Sequence, residues 1–141
     1  MAVDYTSQMK VTRGISPAAA TTDNTAYVSQ IIDCANFTSN TFIGQFGSVA
    51  DADTTFTVLV EDGNDSGLSD NAAVDDAYLI GVEAMGIQYD SDNKAFKIGY
   101  KGPKRYVRVT ITPANNSGNI FLSGSWVQMG ARSLPQTTQV V

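Results

Sequence analysis

The stretch KRYVRVTITPANNSGNIFLSGSWVQM, Lys104–Met129, decides how this chain is read. In its first part Tyr106, Arg108, Thr110 and Thr112 alternate with Val107, Val109 and Ile111. Successive side chains of a strand point to opposite faces, so β-branched residues at every second position predict a half-buried strand over Lys104–Pro113. Asn115-Asn116-Ser117-Gly118 follows. Asparagine tolerates left-handed backbone and glycine has no Cβ, so this is turn chemistry. Asn119–Met129 resumes the alternation. Ile120, Leu122, Gly124, Trp126 and Gln128 fall on one face, with Phe121, Ser123, Ser125, Val127 and Met129 on the other. Two alternating runs about one turn predict a hairpin.

The pattern continues upstream. Lys94–Tyr100 sets Ala95, Lys97 and Gly99 against Phe96, Ile98 and Tyr100. Gly102-Pro103 then breaks the chain, because proline fixes φ and removes a ladder donor. Residues 94–100, 104–113 and 119–129 are therefore expected as an antiparallel meander. Thr54–Glu61 sets Phe56, Val58 and Val60 against Thr55, Thr57 and Leu59, while Ala26–Asp33 and Thr41–Gly47 give weaker strand signals. Val82–Tyr89 is ambiguous, and no segment carries a long helical period with caps. Short strands separated by turn clusters predict an all-β chain, an antiparallel β-sandwich or jelly roll. Residues 1–25 show no sustained apolar period and are expected as an extended N-terminal arm. Residues 26–130 form the predicted domain, and 131–141, with Pro135, a C-terminal tail.

Composition excludes several chemistries. The 141 residues suit one domain, with 43% apolar and 16% charged residues. Histidine is absent and Cys34 is the single cysteine. Ser-His-Asp and Cys-His catalysis, an internal disulfide and a cysteine-rich zinc site are therefore impossible within one chain. Glycines form no phosphate-binding fingerprint, and no two carboxylates are singled out by spacing. No enzymatic activity and no cofactor are expected. A net charge of −5 disfavours a general nucleic-acid binder, and no apolar run suits a membrane span or export signal. The expected setting is a reducing cytoplasm or a particle assembled there.

Charge is segregated along the chain. Between Gly14 and Asn93 there are thirteen Asp or Glu and no Lys or Arg. From Lys94 onward there are seven Lys or Arg and no Asp or Glu. The basic segment offsets acidic loops within the fold, or forms a face for an acidic partner, or forms a nucleic-acid patch, which the acidic total and the lack of interleaved aromatics disfavour. Asp62-Gly63-Asn64-Asp65-Ser66-Gly67 opens like a calcium loop, with Asp62, Asn64, Ser66 and Asp70 as candidate oxygen ligands. Ala73 stands where that loop needs a bidentate Glu, so a plain acidic turn fits better. Cys34, beside Ile31, Ile32 and Ala35, reads as a small buried apolar residue. Trp126 reads as core; with Tyr100 and Tyr106 it leaves a sugar-stacking surface as an alternative.

The segments Phe96–Gly102, Lys104–Thr110, Ser117–Ile120 and Gly130–Pro135, with the strand Thr54–Asp62, resemble a group of small tailed-phage head proteins. These are proteins of the capsid decoration or cement type, and the likeness covers residues 26–135. The resemblance implies a non-enzymatic virion protein with a β-sandwich or jelly-roll fold. It implies a dimer or trimer on the outer capsid surface that bridges subunits of the major capsid protein. Arm, tail and basic turn are then the expected contacts, with Lys10, Arg13, Lys101, Lys104, Arg105 and Arg132 as interface candidates. A head–tail joining or tail component, and a carbohydrate-binding or adhesion module, are the alternative roles.

Overall fold

The structure is a computed structural model that describes residues 4–137. In chain order the strands are β1 (Lys10–Ile15), β2 (Tyr27–Val28), β3 (Ile32–Asp33), β4 (Ser39–Val49), β5 (Thr55–Gly63), β6 (Ala72–Ala73), β7 (Leu79–Ile80), β8 (Ala95–Tyr100), β9 (Tyr106–Ala114) and β10 (Ile120–Met129). They form two antiparallel sheets. Sheet A has the order β1-β10-β4-β8-β7 and sheet B the order β2-β9-β5-β6, with β3 also paired to β9. The chain is all-β, as the alternation predicts, and its winding from sheet to sheet is that of a jelly roll.

The predicted faces hold. Val107, Val109 and Ile111 of β9 are fully buried, and Ile120, Leu122, Trp126 and Gln128 of β10 point into the same core. Phe42 and Phe46 of β4, Phe56, Val58 and Val60 of β5, and Ile98 of β8 complete it. Each strand thus buries one side of its pleat against the opposite sheet, as stacked sheets require.

The predicted hairpin and meander do not hold. Strands β8 and β10 lie in sheet A, separated by β4, whereas β9 lies in sheet B. Both connections cross the core. An alternating run with a turn records that the chain reverses, not which sheet receives the next strand. The five-residue link from β9 to β10 is fixed across the core instead. Buried Asn116 accepts from the Thr54 hydroxyl (2.9 Å), and its amide donates to the carbonyls of Asp23 (3.0 Å) and Gly118 (2.9 Å).

The arm assigned to residues 1–25 is likewise corrected in its middle. Lys10–Ile15 is the edge strand of sheet A, pairing Lys10 with Gln128, Thr12 with Trp126 and Ile15 with Gly124. The domain therefore begins before residue 26. Only Ile15 of β1 is a buried large apolar residue, so the strand is held by its ladder more than by an apolar stripe. That leaves little periodic signal to read. In the tail, Gln136 N donates to Ser7 O (2.8 Å) and Arg132 N to Asn36 O (3.0 Å), so this segment is docked. Residues 1–3 and 138–141 of the expected arm and tail lie outside the described residues.

Phe42 meets Trp126 edge-on, with ring centroids 5.3 Å apart and an interplanar angle of 70°. Gly14 and Gly124 make room for that phenylalanine, since a Cβ on either would collide with its ring. Gly124→Ala is expected to destabilise the fold by about 1–3 kcal/mol through overpacking. Urea denaturation checks this, with Ser123→Ala, on the outer face of the same strand, expected to stay within about 0.5 kcal/mol of the parent.

Candidate functional site

Five of the six cationic candidates converge on one end of the sandwich. This is the end where β4 begins and where β8 and β10 finish, because Asn40 pairs with Tyr100 and Ser39 with Met129. Lys10 enters it at the start of β1, its ammonium 6.0 Å from the Phe37 ring centre. Lys101, Lys104 and Arg105 come from the link between β8 and β9, and Arg132 from the segment after β10. Arg13 lies apart, along β1, where its guanidinium meets the Gln30 side-chain amide at 2.7 Å.

Tyr100 shapes the basic turn. Its buried hydroxyl donates to Asp62 Oδ2 (2.7 Å) and accepts from the Lys104 amide (3.1 Å), so the turn folds back over the tyrosine. Burial and the Asp62 carboxylate push the phenol well above its usual range. Arg105 bonds Asp33 in a bidentate pair, Nε to Oδ1 at 3.0 Å and Nη2 to Oδ2 at 2.7 Å. Hydrogen bonding from Arg105 holds the Asp33 carboxyl below the usual carboxylate range. Both partners are exposed, so solvent screening leaves the pair little weight in stability. Arg108 is matched across the ladder by Glu61, at 2.9 Å.

Of the charge readings, internal offset therefore describes the arginines of β9 and its approach. The lysines form no close pair, although Lys10 acts at longer range on Asp33 and Lys104 on Asp70. Among the described residues the ion pairs are Arg105–Asp33 and Arg108–Glu61, and neither uses a lysine. Lys101 and Lys104 border an open cleft of about 410 Å³ with Cys34, Phe37, Tyr100 and Arg105. Burial, with Asp33 and Asp62 nearby, pushes the Cys34 thiol up to about 12. At neutral pH it is a protonated, weakly nucleophilic group, in keeping with the apolar role expected of it.

The calcium-loop candidates are not gathered about one centre. Asp62 turns inward to Tyr100, whereas Asp70 accepts from the amides of Asn64 (2.8 Å) and Asp65 (3.1 Å). Asp65 in turn accepts from Gly67 (2.9 Å) and Ser69 (3.1 Å), and Ser66 is exposed. These are the self-capping bonds of an acidic turn. Among the described residues no three His, Cys, Asp or Glu side chains are grouped to hold a metal. Trp126 and Tyr100 are core residues, so they present no stacking surface for a sugar.

Sequence reasoning missed the Asp33–Arg105 pair and the Tyr100–Asp62 bond. Their partners stand 72 and 38 positions apart, and no local pattern joins them.

No protein-family model and no curated protein matches the chain. Among solved structures it is similar to a chain from the capsid of Ralstonia phage GP4. The TM-score is 0.50 and the identity 10%, over 94% of this chain and 91% of that one. At that identity the likeness is one of fold. It is also similar to CBM32-1 from a family 31 glycoside hydrolase of Clostridium perfringens. There the TM-score is 0.41 and the identity 17%, over 89% and 99% of the two chains.

Cys34 offers a direct check on this end of the molecule. Below pH 9 the thiol is protonated in both folded and unfolded chains. Between 9 and about 12 only the unfolded chain ionises, so this group's contribution to stability is lost as pH rises. A disulfide reagent at pH 8 is expected to modify native Cys34 at least about 100-fold more slowly than the urea-unfolded chain. Equal rates would show that the cleft leaves the thiol open. Tyr100→Phe, which leaves the buried Asp62 carboxylate without that donor, is expected to cost about 1–3 kcal/mol on urea denaturation.

Proposed function

We propose that this chain is a structural virion protein. In this reading it is a decoration or cement protein that binds the outer surface of a tailed-phage head and stabilises contacts between major capsid subunits. The observation that carries the reading is the jelly roll itself, similar over 94% of the chain to one from a phage capsid. The lysines at the basic end support it, since they are cations left without an ion pair inside the described fold. A dimer or trimer placed over repeated lattice sites binds through many weak contacts, because effective concentration multiplies each of them. Lys10, Lys101, Lys104, Arg105 and Arg132 are the proposed contacts at this end. Lys101 and Lys104 carry the larger share, because Arg105 is already matched by Asp33.

Capsids of the source phage assembled without this protein provide the test. The purified protein is expected to co-sediment with them saturably, at a fixed ratio to the capsid subunit. Binding is expected to weaken as salt rises from about 50 to 300 mM, since exposed charges are screened within about 10 Å. The double variant Lys101→Glu, Lys104→Glu is expected to lose about tenfold in affinity with an unchanged melting temperature. Absence of binding, with a stable ring of fixed order left in solution, would favour a head–tail or tail component instead.

A further inference from the structure

The outer face of sheet A is unlike the rest of the surface. Its five strands contain none of the fourteen Asp and Glu residues of the chain. Ladder register places Val11, Val127, Thr41, Gly99 and Ile80 in one outward row across all five. The neighbouring row is Arg13, Ser125, Ile43 and Lys97. Val11 is 49% exposed, Ile43 39%, Ile80 64% and Phe121 44%, so large apolar groups stand in solvent between small ones. Ile80 lies directly over Gly99, where a side chain would push it away. Arg13 and Lys97 are the charges of this face, and nothing on the same strands neutralises them. The outer face of sheet B is built differently. There exposed Val28 and Leu59 stand among Thr55, Thr57, Thr110 and Thr112, and its charges, Arg108 and Glu61, are matched to each other.

We propose that the outer face of sheet A is the docking surface for a folded protein partner whose apolar patch is rimmed by carboxylates. Its partner rests on the virion reading above, in which that surface belongs to the capsid subunit. Size is consistent with docking. Five strands spaced about 4.8 Å apart, the longer ones about 30 Å in length, present roughly 600 Å². A standard interface takes about 800 Å² from each partner, and the basic end adjoins this face. Charge decides against a second copy seated face to face. A second copy would bring the same two cations, Arg13 and Lys97, to the contact. The strands offer no carboxylate to offset them, and such like-charge contacts are unfavourable.

The test compares three proteins for binding to capsids assembled without the protein. They are the parent, Lys97→Glu with Ile43→Ser, and Lys97→Glu with Ile80→Ser, each monitored by thermal melting and sedimentation equilibrium. The second pair guards the test should Ile43→Ser disturb the sheet, because Ile80 sits on the short edge strand β7. Both pairs are expected to bind about thirtyfold more weakly, with melting temperature and oligomeric state unchanged. Parent-like binding by both pairs, while the Lys101→Glu, Lys104→Glu protein is impaired, would remove the sheet face and leave the virion reading intact. Loss of self-association in the face variants would make the surface a contact between copies and overturn the proposal. Failure of the parent itself to bind capsids would overturn the decoration reading and, with it, the partner assigned here.

Discussion

The two sheets are tied together at Ser29. Its hydroxyl oxygen accepts from the Val109 amide of β9 (2.9 Å), and the indole N–H of Trp126 on β10 lies 3.3 Å from the same oxygen and 3.2 Å from Gln30 O. A buried indole must place its donor, and here the placement spans the core. The edge of sheet B is interrupted between β2 and β3, where the buried Ser29 side chain and the Gln30 carbonyl meet the indole. With Trp126 fixed, Phe42 stacks edge-on against it, and glycine is needed at positions 14 and 124. The packing of sheet A around β10 follows from that one polar link.

Each end of the sandwich repeats the device. At one end Tyr100 joins β8 to Asp62 on β5, and Gln128 donates to Asp33 O (3.0 Å) and Asn40 Oδ1 (2.8 Å). At the other, Thr54 and Asn116 join the approaches to β5 and β10. These bonds close the links that cross between sheets, which apolar packing alone leaves free to choose a register. They also set the candidate site. The Tyr100 bond holds the turn that carries Lys101 and Lys104, while Asp33, whose carbonyl meets Gln128, presents its carboxylate to Arg105.

Much of this architecture is legible in the sequence, and its failures share one cause. Alternation placed every long strand to within a few residues and assigned the inward faces of β5, β9 and β10, because burial is what period two records. It misplaced the partner of β10 and overlooked β1. The pairing of β1 with residues 124–128 of β10 is non-local, and the short strand carries a bulge between Arg13 and Ile15 rather than a clean alternation. The grouping of five of the six cationic candidates at one end comes from the fold, and Asp33 as the mate of Arg105 had no local trace. Turns, by contrast, were readable from chemistry alone: the acidic loop at 62–70 caps itself through Asp65 and Asp70, as Asp-rich turns do.

Charge segregation along the chain becomes charge segregation across the molecule through the winding of the jelly roll. The segment from Lys94 onward contains no carboxylate side chain and supplies β8, β9 and β10. The winding sends β8 and β10 to sheet A, where they flank β4, itself free of charge, and where β10 adjoins the edge strand β1, which carries only cations. Strand β9 alone goes to sheet B, and register sets its Arg108 opposite Glu61. The carboxylates are thereby confined to loops, to the edge strand β3 and to β5. A hairpin of β9 and β10 in one sheet would have brought Arg108 onto the face of β10 and denied it Glu61. The same crossing that defeated the sequence reading therefore leaves one broad face apolar and cationic on a protein whose net charge is −5.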